Sequence, residues 1–480
     1  MNLSNENSHL DLSTPTGGQG AIYFIGIGGI GMSALARYFH SKGVQVSGYD
    51  KAETSLTKEL VKEGIPVHYN EDVSAIPKDV DFVVYTPAVP QAHAELQYYH
   101  DHGYKVVKRS EVLGAISADT FNICVAGTHG KTTISTMIAH ILRHSGYGCN
   151  AFLGGIAVNY GTNFWSSTNN TCVIEADEYD RSFLKLTPDI AIITAMDADH
   201  LDIYGDEKSM QDAYIAFGNK VRSDGLLVYK FGLNRIREIN TSRKWSYSSG
   251  NDAAHVFATQ LRMEVGGYQF SVQLPDAVIS NLQLRMGGLH NVENALAAIS
   301  VAHALDIDNE KIKTAIAEFK GVKRRFEYII PPTKQQQGGY VYPVFIDDYA
   351  HHPEEIRALL KSVRSLFPQR RITAIFQPHL YTRTRDLADE FADSLHIADT
   401  LILLPIYPAR EQPLEGVNSK MIFDKVKTKE KYLFSIEELL QWAKEKIKTI
   451  DKEFGEVFIT IGAGNIDTLV LPLKEIIQQA

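Results

Sequence analysis

The chain runs to 480 residues, enough for roughly two to four domains that each bury a core. Hydrophobic residues make up 44% and charged residues 22%, an ordinary globular balance, and a formal net charge of -9 argues against a nucleic-acid partner, which would call for a basic surface. No apolar run reaches the roughly 18 residues of a membrane helix, and the three cysteines, Cys124, Cys149 and Cys172, are odd in number and lack metal-ligand spacing, as suits a reducing cytoplasm.

Met1 to Gly20 is rich in Asn, Ser, Thr and Gly and has no hydrophobic block, so it reads as a flexible tail and not as a signal peptide. From Ala21 to about Leu113, strands and helices alternate. Ile22 to Ile25, Val44 to Tyr49, Pro66 to His68, Phe82 to Tyr85 and Lys105 to Val107 are expected to form a parallel sheet with its ligand at the carboxyl ends of the strands. The first strand runs into Gly26-Ile-Gly28-Gly29-Ile-Gly31-Met32, a G-x-G-x-x-G loop that opens a helix. Its glycines allow a tight turn, close approach of a pyrophosphate, and packing of helix on strand. Asp50 ends the next strand at a spacing that suits a ribose hydroxyl. The turn Thr86-Pro87-Ala88 falls at another strand end, where contact with the same ligand and a purely rigid turn are both open. An NAD-dependent dehydrogenase would carry this fingerprint too, but the chain continues without a hydride-transfer domain.

A second phosphate loop lies instead in the unit that begins at Asp119. Phe121 to Val125 reads as a strand, and Gly127-Thr128-His129-Gly130-Lys131-Thr132-Thr133 turns it into an amphipathic helix. The glycines let backbone N–H groups converge on an anion, Lys131 brings a mobile positive charge, and Thr132 offers a hydroxyl to Mg²⁺. Val125 stands where the longer phosphate-loop pattern has its first glycine, so this is a shorter variant that reads as a nucleotide triphosphate site. Strands are expected at Thr171 to Glu175, Ile190 to Ala195 and Gly225 to Tyr229, with antiparallel segments at Val256 to Leu261 and Tyr268 to Leu274. Four acids in Glu175-Ala-Asp177-Glu178-Tyr-Asp180 are costly to cluster without a cation, and Mg²⁺ takes one or two carboxylates. His200, among Asp197, Asp199 and Asp202, is a further candidate metal ligand or orienter. His290-Asn291-Val-Glu-Asn294 opens a helix, where capping accounts for Asn291 but leaves His290 and Asn294 for a nucleotide.

The third unit begins at Arg324-Arg325-Phe326-Glu327 and is again doubly wound, with strands at Val344 to Asp347, Arg371 to Phe376, Thr400 to Leu404, Tyr432 to Phe434 and Glu456 to Ile461. Pro331 to Gly339 reads as an exposed hairpin tip. Asp347-Asp348-Tyr349-Ala-His351-His352-Pro353 and Phe376-Gln-Pro-His379-Leu-Tyr381-Thr-Arg383-Thr-Arg385 each come at a strand end, and either Arg383 or Arg385 can grip a carboxylate bidentately.

Taken in order, these motifs resemble the Mur ligase family over nearly everything from Ile22 to Gly462-Ala-Gly464-Asn465. The resemblance implies an α/β protein of three domains: a Rossmann-like UDP-binding domain over 21–118, a P-loop ATPase-like mixed sheet over 119–323, and a Rossmann-like amino-acid domain over 324–480. It implies that Gly26, Gly28, Gly29, Gly31, Met32, Asp50, Thr86 and Ala88 hold the UDP-sugar. ATP falls to Gly127 through Thr133 with His290, Asn291, Asn294, Arg325 and Asp347, and Mg²⁺ to Thr132, Glu175, Glu178 and His200. Tyr349, His351, His379 and Arg383 fall to the amino acid. Lys131, His200, Arg325, His351 and His379 are the implied catalytic groups, acting as monomer or homodimer in the cytoplasm on UDP-N-acetylmuramate and L-alanine. Tyr179-Asp180-Arg181 and Ala350 depart toward the pattern of a tripeptide-recycling ligase of the same family, Leu380 replaces a frequent arginine, and Tyr381-Thr-Arg383-Thr-Arg385 keeps the alanine pattern.

Overall fold

The computed structural model describes residues 20–197, 201–332, 342–409, 411–451 and 453–479; the expected tail, most of the 331–339 tip, Asp199 and His200 lie outside them. The chain divides into two units, Met1–Phe257 with Gln273–Ala277 and Asn294–Ala315, and Ala258–Val272 with Val278–Glu293 and Ile316–Ala480.

In the first unit β1 (Ala21–Ile25), β2 (Gln45–Tyr49), β3 (Val67–His68), β4 (Phe82–Tyr85) and β5 (Val106–Lys108) form an all-parallel sheet in the order β3-β2-β1-β4-β5. The order reverses between β1 and β4, so the loops leaving those strands diverge and open a crevice. Gly26 turns there at φ +85, and a Cβ on it would come within 3.2 Å of the Thr86 methyl, so the Thr86 turn stands beside the glycine loop.

A second sheet holds β6 (Phe121–Ala126), β7 (Asn150–Ala157), β8 (Thr162–Trp165), β9 (Thr171–Glu175), β10 (Ile190–Ile193), β11 (Leu226–Lys230) and β12 (Arg243–Ser248) in the order β12-β11-β10-β6-β9-β7-β8. All these neighbours pair parallel except β8, which returns antiparallel on β7. Its central strands β6, β9 and β10 are covered on both faces, which is why they are runs of Val, Ile and Cys without alternation. Cys124, Cys149 and Cys172 are free and buried there as small core residues.

Helix Ile30–Ser41 joins the two sheets. It buries Met32, Leu35, Ala36 and Phe39 in a core that also takes Phe152 and Phe164 from the β7–β8 hairpin. A helix this apolar all round has to be covered on more than one side, and each fully buried Leu or Phe is worth roughly 1.5–3 kcal/mol. One polar set sits in this contact: Arg37 donates from Nη1 to Asn163 Oδ1 at 2.5 Å, and Asn163 Nδ2 donates to the Ile30 carbonyl at 2.5 Å and to Ser33 Oγ at 3.1 Å. Arg37 also forks onto Glu63 at 2.7 and 2.8 Å.

In the second unit β13 (Val256–Glu264) and β14 (Gly267–Gln273) are neighbours joined by Val265 and Gly266, a two-residue connection that only an antiparallel hairpin allows, with β15 (Val278–Leu284) next to β14. The third sheet holds β16 (Glu327–Ile330), β17 (Val344–Asp348), β18 (Arg371–Phe376), β19 (Thr400–Leu403), β20 (Glu430–Leu433) and β21 (Glu456–Ile461), ordered β16-β17-β21-β18-β19-β20. β16 is antiparallel and the others parallel. Helix Pro353–Leu366 covers it with Ile356, Leu359, Leu360 and Val363 on one buried face, and Glu355 reaches back to accept from the His351 and His352 N–H groups at 2.9 and 3.1 Å.

Candidate active site

The first glycine loop is built by what crowds it. A Cβ on Gly28 would stand 2.8 Å from Asp50 Oδ2, and the Gly28 N–H donates to that same oxygen at 2.8 Å. Asp50, expected on a ribose, therefore braces the loop itself. Met32, expected to line the sugar nucleotide, is 2% exposed with its side chain in the core, because helical periodicity turns it inward from Gly29. Gly29 and Ala88 are exposed and Thr86 is half-buried.

The second loop is held by conformation. Gly127 at φ +128 and Gly130 at φ +82 take backbone shapes that L side chains rarely adopt, and a Cβ on Gly130 would press within 2.8 Å of Asn294 Oδ1, which puts Asn294 at the loop. Lys131 Nζ donates to the Gly127 carbonyl at 2.8 Å and to Glu178 Oε1 at 2.7 Å. Thr132 Oγ1 donates to Glu175 Oε1 at 2.8 Å, while the Gly154 N–H from β7 donates to Glu175 Oε2 at 2.8 Å. Lys131, Thr132, Glu175 and Glu178 are thus brought together as expected. Burial pushes the Glu175 carboxyl up, opposed by the Thr132 hydroxyl and the nearby Lys131 charge. Thr128 accepts from the Asp197 N–H at 3.0 Å, Thr194 Oγ1 donates to the His129 carbonyl at 2.5 Å, and Thr133 is buried in the helix. Among the described residues no group of three or more His, Cys, Asp or Glu is placed to hold a metal; His200 lies outside them. A cavity of about 170 Å³ runs from Gly31 of the first loop to Gly154 and Glu175 beside the second.

In the second unit the loops after β17 and β18 meet. His351 and His379 have ring centroids 6.0 Å apart, Tyr349 lies 5.2 Å from His351, and Arg383 Nη1 is 3.4 Å from His379 Nδ1. His379 also stacks on Tyr407 at 5.8 Å, a residue with no sequence motif to mark it. Burial lowers the pKa of His351 and brings that of His379 down to about 4, helped for His379 by the Arg383 charge. Both rings are therefore neutral near pH 7.

Arg325 is exposed, with its guanidinium 5.3 Å from the Tyr349 ring centre. Its neighbours Arg324 and Phe326 sit at φ +61 and +48, a costly shape for side chains of this bulk. Asp348 holds that turn by accepting from the Phe326 N–H at 2.7 Å and the Ala350 N–H at 2.8 Å, and burial pushes its carboxyl up to about 6. Asp347, expected on ATP, is instead 1% exposed and accepts from Thr460 Oγ1 at 2.6 Å. Alternation along β17 sends these adjacent acids to opposite faces. Asn291 is likewise inward, its amide donating to the Gly287 carbonyl at 2.7 Å, whereas His290 is exposed.

Three family models match the chain: the Mur ligase family catalytic domain over residues 21–120, the Mur ligase middle domain over 125–302, and the Mur ligase glutamate ligase domain over 324–464. The chain belongs to the Mur ligase family. It is 46% identical over 464 residues to a UDP-N-acetylmuramate–L-alanine ligase of Parabacteroides distasonis, covering 95% of this chain and 97% of that one. A Flavobacterium psychrophilum protein of the same name is 46% identical over 458 residues, at the same coverage of 95% and 97%. Among solved structures, the Mur ligase fold aligns with a Thermotoga maritima UDP-N-acetylmuramate-alanine ligase at TM-score 0.77 and 29% identity, covering 96% of this chain and 99% of that one. A murein peptide ligase of Psychrobacter arcticus aligns at TM-score 0.63 and 22% identity, over 96% and 99%, a likeness of fold alone.

Proposed function

We propose that this Mur ligase joins L-alanine to UDP-N-acetylmuramate at the expense of ATP, in the cytoplasm. The observation that carries the reading is the cavity that runs from Gly31 of the first glycine loop to Glu175, the carboxylate that Thr132 of the second loop bonds, in a chain 46% identical to a ligase of that name. A lactyl carboxylate oxygen forms a bond to the γ-phosphorus as the bridge to ADP breaks. The alanine nitrogen then bonds to the acyl carbon, loses a proton, and expels inorganic phosphate.

Lys131, held between Gly127 and Glu178, meets the charge that grows on the transferring phosphoryl group. Asn294 and the Gly127 to Thr133 backbone bind the phosphates. Magnesium fits the donor set, because a hard ion keeps several waters and takes one or two carboxylates, and the Glu175 carboxylate stands against the Thr132 hydroxyl at the second loop. Thr132, Glu175, Glu178 and His200 would hold it, and it would supply charge neutralisation to the triphosphate. Arg325 adds an exposed cation in the other unit. Arg383 takes the alanine carboxylate, and His351 and His379, being neutral, accept hydrogen bonds from its free amine.

A substrate panel with ATP and UDP-N-acetylmuramate tests the reading. L-alanine, glycine, L-serine and L-Ala-γ-D-Glu-diaminopimelate are offered together, and products are identified by mass. Alanine is expected to dominate; dominance of the tripeptide would move the chain to the recycling branch, and phosphate release without any amine would remove the reading.

A further inference from the structure

Among the described residues lining the cavity between the two loops, the charged side chains are Arg109, Glu175 and Asp177. A substrate carboxylate entering there meets two acids and one cation. The cation is well prepared. Arg109 opens helix Arg109–Ala118 directly after β5, and its guanidinium lies across the start of the helix that the first glycine loop opens. A Cβ on Gly31 would stand 2.5 Å from Arg109 Nη1, so glycine at 31 is what leaves the fork its place. The resting partner is Asp177, whose Oδ2 is 3.3 Å from Arg109 Nη2, long for a charge-assisted pair, with the Arg109 side chain 22% and that of Asp177 42% exposed. A pair this loose is easily exchanged for a better-placed anion.

We propose that Arg109 receives the lactyl carboxylate of the sugar nucleotide, giving up Asp177 to do so, and thereby sets the acid at the Glu175 end of the cavity and selects sugars that carry it. This rests on the ligase reading above. A planar fork matches a carboxylate bidentately, which lysine cannot do, and the alternative anion, the diphosphate, is served by the backbone of the Gly26 to Gly31 loop.

The test is calorimetric titration of the full-length wild type, Arg109→Ala and Arg109→Lys with UDP-N-acetylmuramate and with UDP-N-acetylglucosamine, which lacks the lactyl acid. Arg109→Ala is expected to weaken UDP-N-acetylmuramate by roughly ten- to a hundredfold while UDP-N-acetylglucosamine changes less than about threefold, so that the preference collapses in a protein shown to be folded. Arg109→Lys should recover only part of it. Equal weakening of both ligands would assign Arg109 to the diphosphate or to the fold, and an intact preference in Arg109→Ala would remove it from recognition; either overturns the proposal. Alanine ligation by the wild type, assayed alongside, shows whether the ligase reading stands independently of that result.

Discussion

The phosphate loop of the first unit and the histidine corner of the second handle charge in opposite ways. At the phosphate loop, Lys131 and Glu178 form a 2.7 Å ion pair with side chains 16% and 2% exposed, and Glu175 is kept beside them. At the His351–His379 corner the same burial has discharged the titratable groups, with Arg383 as the neighbouring cation. On the function proposed above, the difference follows from the ligands. A triphosphate brings charge that a fixed array of cations and acids must match, whereas an amine nucleophile needs neutral acceptors around it, because a protonated ring has no lone pair with which to accept from it.

Removing the phosphate-end cation is the hardest way to strain this contrast. Lys131→Ala is expected to lower kcat for ligation by at least about 10³-fold, with UDP-N-acetylmuramate binding retained because the first glycine loop shares no residue with the second. ADP release and a binding titration measure the two quantities, and residual ligation within tenfold of wild type would show that the loop needs no cation of its own. A second strain is Glu175→Gln, which keeps the shape that accepts from Gly154 and contacts Thr132 while deleting the charge. Roughly 10²-fold of kcat should go, and the melting temperature should hold or rise, since burial already opposes the ionised form. A fall in melting temperature would mean that the carboxylate is there for the fold.

At the other end, Arg383→Ala should raise the KM for alanine by roughly ten- to a hundredfold, the usual worth of a charge-assisted hydrogen bond, without moving the KM for ATP. Steady-state assays with each substrate varied in turn decide it. If Arg385→Ala gives the larger effect, the exposed arginine that pairs with Asp386 at 2.7 Å is the grip instead.

How much of this the sequence revealed depended on whether a residue acts through its neighbours in the chain or in space. Much of the first and third sheets is legible because β1, β17 and β21 are apolar runs that end in glycine loops or an acid-histidine turn. The β7–β8 hairpin is not: Gly154, Gly155 and the Asn, Thr and Gly residues of 159–163 look like a loop, and strand character comes from docking on helices Ile30–Ser41 and Lys131–His144 and on β9. β12, β15 and β16 carry little strand pattern in sequence, their side chains being only partly covered by other elements. At the site, the glycine loops and the acid run show as motifs. Arg109, Asn163, Tyr407 and the Gly154 N–H matter through contacts many residues away and carry no local signature. Asp347 and Asp348 show the same limit, since adjacent acids at a strand end differ only in the face they take.

The smallest effect tests the neutral corner through stability. His379 falls from an ordinary value of 6.5 to about 4 in the folded chain, facing Arg383 and His351 with Glu411 opposing them. An unfolded chain therefore binds more protons than the folded one between those values, so this contribution is complete above pH 6.5 and is lost as the pH falls toward 4. Asp348 runs the other way: its carboxyl, raised from 3.8 to about 6, takes up a proton more readily in the folded chain and favours folding as the pH drops through that range. Replacing His379 with Asn removes the first slope and leaves the second, so the variant should lose less stability than wild type between pH 6.5 and 4, read from urea midpoints across that interval. Parallel pH curves for the two proteins would mean that the His379 ring titrates alike in the folded and unfolded chains, and that burial beside Arg383 does not hold it neutral.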